Sequence, residues 1–153
     1  MTLYEALVLV HVVMAVAWVG GVFLMNVLAT RAVRSHLPER AAGYAAELEW
    51  VILRVFTPAA LLVLASGIWA ASEGNWEFGE PWVSMGFAGW MASFFAGLGF
   101  FRPEAGRIAR LVAAEGPASG RVLARIGRLL LLSRLELVVL VVVIWAMVAK
   151  PGL

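Results

Sequence analysis

The chain has 153 residues, of which 63% are hydrophobic and only 14% are charged, with a formal net charge of +2 and no cysteine. Soluble domains carry about 25% charged residues, so this composition excludes an ordinary soluble domain and indicates a membrane protein. The lack of cysteine excludes disulfides, thiolate metal sites and cysteine nucleophiles. At about 20 residues per span, the chain has room for four transmembrane helices in a single domain, residues 1–153.

The first predicted span covers residues 3–30. A secretory signal peptide carries positive charge before its apolar stretch, whereas here Glu5 precedes the stretch and several arginines follow it. The pattern therefore predicts an uncleaved helix whose N-terminus lies outside the cell. A loop at 31–50 follows, and Pro38 is suited to the first turn of an amphipathic segment within it.

The second predicted span, 51–71, contains a proline in its first half. Pro58 removes one backbone donor, so we expect it to kink the helix there. The polar segment 72–80 predicts a loop on the outer side, and the third span covers 81–101.

A break is predicted at Arg102-Pro103, after the third span. A short polar helix at 104–115 follows within a second loop, 102–128, and the last span covers 129–148. The predicted fold is therefore all-α, an integral membrane protein built as an antiparallel four-helix bundle.

The distribution of basic residues predicts the orientation. Eleven of the twelve basic residues lie in or beside the loops 31–50 and 102–128, and only Lys150 lies elsewhere. Because cytoplasmic loops carry the excess of lysine and arginine, both loops are predicted to be cytoplasmic and both termini to be outside. The chain has eleven arginines, one lysine and no aspartate, a bias that is typical of a GC-rich bacterial genome. We therefore expect the protein in a bacterial inner membrane.

One arginine stripe begins the last helix. Arg121, Arg125 and Arg128 lie on one helical face just before the span. We expect this face to bind anionic lipid headgroups, and the alternative is that the arginines are only the topology signal.

Small residues predict the helix contacts, because helices in lipid associate through close packing rather than through hydrophobic burial. Gly89, Ser93 and Gly97 recur every four residues in the third span, and Gly20 and Gly21 are adjacent in the first. The pattern predicts a compact bundle, with a homodimer through a spare small-residue face as the alternative.

His11 is the candidate for chemistry. It is the one histidine inside a predicted span, on the order of 12 Å from the outer surface at 1.5 Å per residue, and a titratable group at that depth indicates a functional site. Its imidazole could ligate haem iron or copper, with Met14 and Trp18 on the same helical face and Met91 as a candidate second ligand. The alternative is a neutral histidine hydrogen-bonded to a carbonyl or hydroxyl group across the bundle.

A second constellation is ionic. Arg54 and Glu136 lie in the inner halves of their spans and are predicted to form an ion pair, while Arg134 reaches headgroups. This pair could act as a proton or anion relay, or it could simply fix the helix register.

Several segments carry a resemblance to known families. The run His11–Gly21 resembles an element in the first helix of the copper-resistance protein D family and of the haem-binding four-helix protoporphyrinogen oxidases. A closer likeness, over nearly the whole chain, is to a family of predicted bacterial membrane proteins catalogued as a domain of unknown function. That likeness is carried by the segments Trp76–Trp82, Gly99–Glu104, Ser133–Glu136 and Lys150–Gly152.

The resemblance to the oxidases implies that His11 is a haem ligand. Those enzymes also use a lysine within the bundle, whereas the only lysine here is Lys150, which speaks against oxidase activity. The outer loops lack the histidine and methionine clusters expected for copper handling.

The first functional hypothesis is therefore a membrane protein that binds haem b through His11 and has a redox or haem-associated role. The alternatives are a non-enzymatic membrane component, such as a small permease or an accessory subunit, and copper handling. No catalytic motif is present, so enzymatic activity and any small-molecule substrate stay open. Nucleic acid is not an expected partner, because the topology accounts for the basic residues.

Overall fold

A computed structural model describes residues 1–35 and 37–152, and within these ranges the regular structure is entirely helical. The six α-helices are α1 Leu3–Arg34, α2 Pro38–Val51, α3 Thr57–Glu73, α4 Pro81–Ala96, α5 Arg102–Glu115 and α6 Gly120–Ala149. A π-helical turn, Ile52–Phe56, joins α2 to α3, and a second, Gly97–Phe101, joins α4 to α5.

The joined elements form four long helices, each long and apolar enough to cross a membrane. Helix α1 packs against α3 and α6, α4 packs against α6, and α3 touches α4. Short connections make successive long helices run in opposite directions. The predicted all-α four-helix arrangement is confirmed.

The two ends of the bundle differ in charge. We call the end that holds α2, α5 and the first turns of α6 the basic end, and the other, near Glu73 and Glu80, the acidic end. At the basic end α2 and α5 pack against each other and against α6. At the acidic end the Lys150 ammonium lies over the rings of Trp76, at 4.2 Å, and Trp82, at 5.0 Å.

The break predicted at Arg102-Pro103 is wrong, because the helix continues through this point. A proline ring presses on the carbonyl four residues earlier, and the wider π-helical turn moves that carbonyl aside. The backbone N–H of Arg102 donates to the Gly97 carbonyl, five residues back. The same device precedes Pro58, where the N–H of Thr57 donates to the Ile52 carbonyl.

Two of the predicted small residues lie at close helix contacts. A Cβ atom at Gly89 would meet Val143 of α6, and one at Gly21 would meet the Phe56 ring at 2.5 Å. Ser93 is buried between helices. These residues let the helices approach closely.

The other two predicted packing glycines have open space where a Cβ atom would stand, namely Gly20 and Gly97. Gly97 instead begins the second π-helical turn. A close contact that the sequence pattern did not single out is at Gly86, where a Cβ atom would meet Met147.

Candidate functional site

His11 lies between α1 and α3. Its Nδ1 is 2.9 Å from the carbonyl oxygen of Val63, and its ring packs against Gly67, where a Cβ atom would stand only 2.8 Å from the imidazole Cε1. Because a carbonyl oxygen can only accept, Nδ1 carries the proton and Nε2 is the basic nitrogen. The absence of a side chain at Gly67 is what allows this ring to fit.

The second ring nitrogen of His11 is available. Nε2 has no hydrogen-bond partner among the described residues, and it is not among the fully enclosed polar atoms that lack one. A histidine held through Nδ1–H by a backbone carbonyl, with Nε2 free, has the arrangement of most metal-ligating histidines. The arrangement also matches the simpler alternative of a neutral, hydrogen-bonded histidine.

The other residues predicted to surround His11 are not all brought to it. Met14 is half-buried on α1, and Trp18 is 5% exposed in the core. Met91 is 50% exposed on α4, a helix that is not a main neighbour of α1. Among the described residues, Met91 is therefore not placed as a second ligand.

A separate, mainly apolar cavity of about 40 Å³ lies in the basic half of the bundle. Its apolar walls include Trp18 and Met25 of α1, and both π-helical turns contribute to it. Its polar walls are Tyr44, Thr57, Ser93, Ser133 and Glu136. Because π-helical turns concentrate at functional sites, two of them beside one cavity make this the second candidate site.

The predicted Arg54–Glu136 pair does not form, because none of the ion pairs between described residues joins them. Arg54 is exposed, at the junction of α2 and α3, and α3 is not a main neighbour of α6. Arg134 is also exposed and donates from Nη2 to the Thr30 hydroxyl at 3.1 Å. Glu136 instead faces the cavity without an ion-pair partner among the described residues.

Tyr44 of α2 is the other titratable group in the cavity wall. Its phenol hydroxyl can act as a hydrogen-bond donor within the cavity.

The buried ion network of the basic end was missed by the sequence patterns. Glu104 of α5 is 3% exposed, and its Oε1 accepts a hydrogen bond from Arg125 Nη1 at 2.6 Å while its Oε2 accepts one from Arg107 Nη1 at 3.3 Å. Burial alone would raise the pKa of this carboxyl, but the two arginines outweigh it and hold the pKa below its ordinary value. The one sequence feature that pointed to this network is Glu104 itself, an acidic residue in the first turn of α5 within an otherwise basic segment.

The three arginines predicted to bind lipid headgroups therefore have different contacts. Arg125 contacts Glu104, Arg121 Nη1 lies 2.5 Å from Glu115 Oε1, and the Arg128 guanidinium lies 5.7 Å from the centre of the Phe100 ring. Arg121 and Arg128 are exposed and can still reach lipid.

No group of three or more histidine, cysteine, aspartate or glutamate side chains that could hold a metal ion occurs within residues 1–35 and 37–152. Any metal at His11 would therefore have at most two ligands of these types from the described residues, or would arrive within a larger cofactor.

Comparison with known proteins identifies the family. No curated protein and no solved structure matches the chain. A family model described as "Predicted integral membrane protein (DUF2269)" matches residues 5–151, nearly the whole chain. The match agrees with the four candidate spans, and the protein belongs to the DUF2269 family of predicted integral membrane proteins.

Proposed function

We propose that this protein binds haem b through Nε2 of His11 and has a redox or haem-associated role in a bacterial inner membrane. The observation that carries the proposal is the 2.9 Å hydrogen bond between His11 Nδ1 and the Val63 carbonyl, which leaves Nε2 free. Iron is commonly bound by such an imidazole, whose orientation is fixed through its other nitrogen. When bound, haem would supply one-electron redox chemistry.

The size of the cavity limits where a porphyrin fits. Cofactor pockets span roughly 300–1,000 Å³, whereas the internal cavity measures about 40 Å³ and does not include His11 in its wall. The donor atom therefore fits haem, but this cavity does not hold a porphyrin. We place the porphyrin at the lipid-facing side of the α1–α3 contact, with His11 as the single ligand from this chain. A second copy of His11 would complete a six-coordinate iron in a dimer.

The test is an absorption spectrum of detergent-purified protein, oxidised and then reduced, after expression with a haem precursor. We expect a Soret band that shifts on reduction, is lost in His11→Ala and is retained in His36→Ala, which changes the only other histidine. Met91→Leu is expected to leave the spectrum unchanged, because Met91 is half exposed on another helix.

A folded wild-type protein that stays colourless under these conditions would contradict haem binding. Copper binding that depends on His11 would then favour copper handling. A protein that binds neither would leave a non-enzymatic membrane component.

We further propose that the basic end is cytoplasmic and that both termini are outside. The chain lacks cysteine, so single cysteines report their side without background. Asn75→Cys, in the connection between α3 and α4, should react with a membrane-impermeant maleimide in intact cells, and Ala118→Cys, between α5 and α6, should react only after lysis. The reverse pattern would invert the topology.

A further inference from the structure

The cavity in the basic half of the bundle has a chemistry of its own, independent of His11. Its volume of about 40 Å³ is room for roughly three water molecules, since one water needs at least about 10–15 Å³. Its polar walls offer oxygen atoms only, from one carboxylate, one phenol and three hydroxyls. Oxygen donors are the ligands of hard cations and of hydrated protons.

Two polar oxygen atoms at or beside this cavity have no hydrogen-bond partner in the described part of the chain. Ser93 lies in the cavity wall, is 3% exposed, and its Oγ is unpartnered. Asn26 is 6% exposed, and its Nδ2 donates to Ser133 Oγ in the wall at 2.8 Å while its Oδ1 is unpartnered. Buried polar atoms normally have partners, so two exceptions in one place point to a ligand or to bound water.

Glu136 supplies the charge. A carboxylate in the membrane interior is costly unless a positive charge neutralises it. The other titratable group of the wall is Tyr44, on α2, and the wall residues from α1, α3 and α4 carry no charge. On α6 itself, Arg134 is exposed and donates to Thr30, while at the α2–α3 junction Arg54 is exposed.

From this juxtaposition we propose that the cavity is a site for one small monovalent cation, either a proton held on the Glu136 carboxylate or a sodium ion, bound between this carboxylate and the Ser93 hydroxyl. A single carboxylate matches a single positive charge. Divalent ions generally take more acidic ligands than this wall provides. The Tyr44 phenol, in the same wall, is available to donate a hydrogen bond to the bound species.

The first experiment measures sodium binding. The thermal midpoint of purified full-length protein is compared in sodium chloride and in choline chloride at equal ionic strength. If sodium is the occupant, it raises the midpoint of the wild type, Glu136→Gln removes the response and Ser93→Ala weakens it several-fold. The control variants Glu47→Gln and Ser84→Ala change exposed residues outside the cavity and should keep the wild-type response.

The second experiment identifies the proton as the occupant. Infrared difference spectra recorded across a pH titration would then show a protonated carboxyl band that is absent in Glu136→Gln and shifted in Ser93→Ala. Either a sodium response or this band, each dependent on Glu136, supports the proposal and names the cation.

The absence of both signals in well-folded wild-type protein overturns the proposal. If Glu136→Gln fails to fold, Ser93→Ala decides alone. Loss of an unpartnered hydroxyl in a dry, empty cavity should raise the thermal midpoint and leave both readouts unchanged, and that result would also overturn it.

Discussion

Replacing Arg125 by methionine should destabilise the protein far more than the same change at its neighbour Arg128. Glu104 is 3% exposed and accepts from Arg125 at 2.6 Å, with only a longer, 3.3 Å bond from Arg107 remaining after the change. Breaking a fully buried ion pair costs about 3–5 kcal/mol, and a hydrogen bond to a charged group contributes about 1.5–3 kcal/mol. Because the Arg125 side chain is 40% exposed, we take the lower range and expect a loss of about 2 kcal/mol.

The partner change shows whether the loss comes from the stranded carboxylate. In Arg125→Met combined with Glu104→Met, no buried charge is left, and we expect most of the stability to return, to within about 1 kcal/mol of the wild type. Arg128→Met removes a guanidinium that lies 5.7 Å from the Phe100 ring centre, a contact worth about 0.5–1 kcal/mol at an exposed site.

The assay is reversible unfolding in mixed micelles as the fraction of sodium dodecyl sulfate rises, followed by tryptophan fluorescence. If Arg125→Met costs no more than Arg128→Met, or if the double variant is as unstable as the sum of its single variants, the ion network does not stabilise the basic end. Arg125 would then serve lipid contact instead.

Three further predictions rest on other contacts. The pKa of Glu104 is held below its ordinary value of 4.5. The stabilisation that this carboxylate contributes is therefore present above pH 4.5 and is lost as the pH falls through the lowered pKa. The unfolding midpoint of the wild type should drop in acid, and that of Glu104→Gln should drop less. Gly89→Leu should cost about 1–3 kcal/mol by pressing on Val143, and an added Val143→Ala should recover part of the loss; no recovery would argue against that contact. Lys150→Ala should cost about 0.5–1 kcal/mol by removing the ammonium 4.2 Å from the Trp76 ring, and it should alter tryptophan emission; unchanged emission would contradict the contact.

The four long helices could be predicted from sequence because hydropathy and length alone decide which segments can cross a lipid bilayer. The ends of those helices were harder to predict from the sequence. A break was predicted at Arg102-Pro103, whereas the helix continues there through a π-helical turn, and another such turn precedes Pro58. A sequence pattern at a period of 3.6 residues does not register one extra residue in a turn.

The failure of the Arg54–Glu136 pairing has a topological cause. Both residues were expected in the inner halves of their spans, but α3 and α6 lie at opposite corners of the bundle, and which corners adjoin is set by packing that a single sequence does not display. The Glu104–Arg125 pair could not be predicted from the sequence either, because it depends on how α5 folds back along α6. For His11, a carbonyl partner across the bundle was one of the alternatives, while the close packing of its ring against Gly67 was not anticipated.

The two π-helical turns also govern how the long helices meet. One additional residue rotates everything beyond it by about 100° relative to a regular helix, at 3.6 residues per turn. Both α2–α3 and α4–α5 carry such an insertion, so the contact faces of α2 and α5 are offset from those of α3 and α4. Helices α3 and α4 touch only lightly, whereas α2 and α5 pack closely. Deleting Val55 alone would restore regular winding in one helix and swing the buried face of α2, with Ala45 and Leu48, away from its partner.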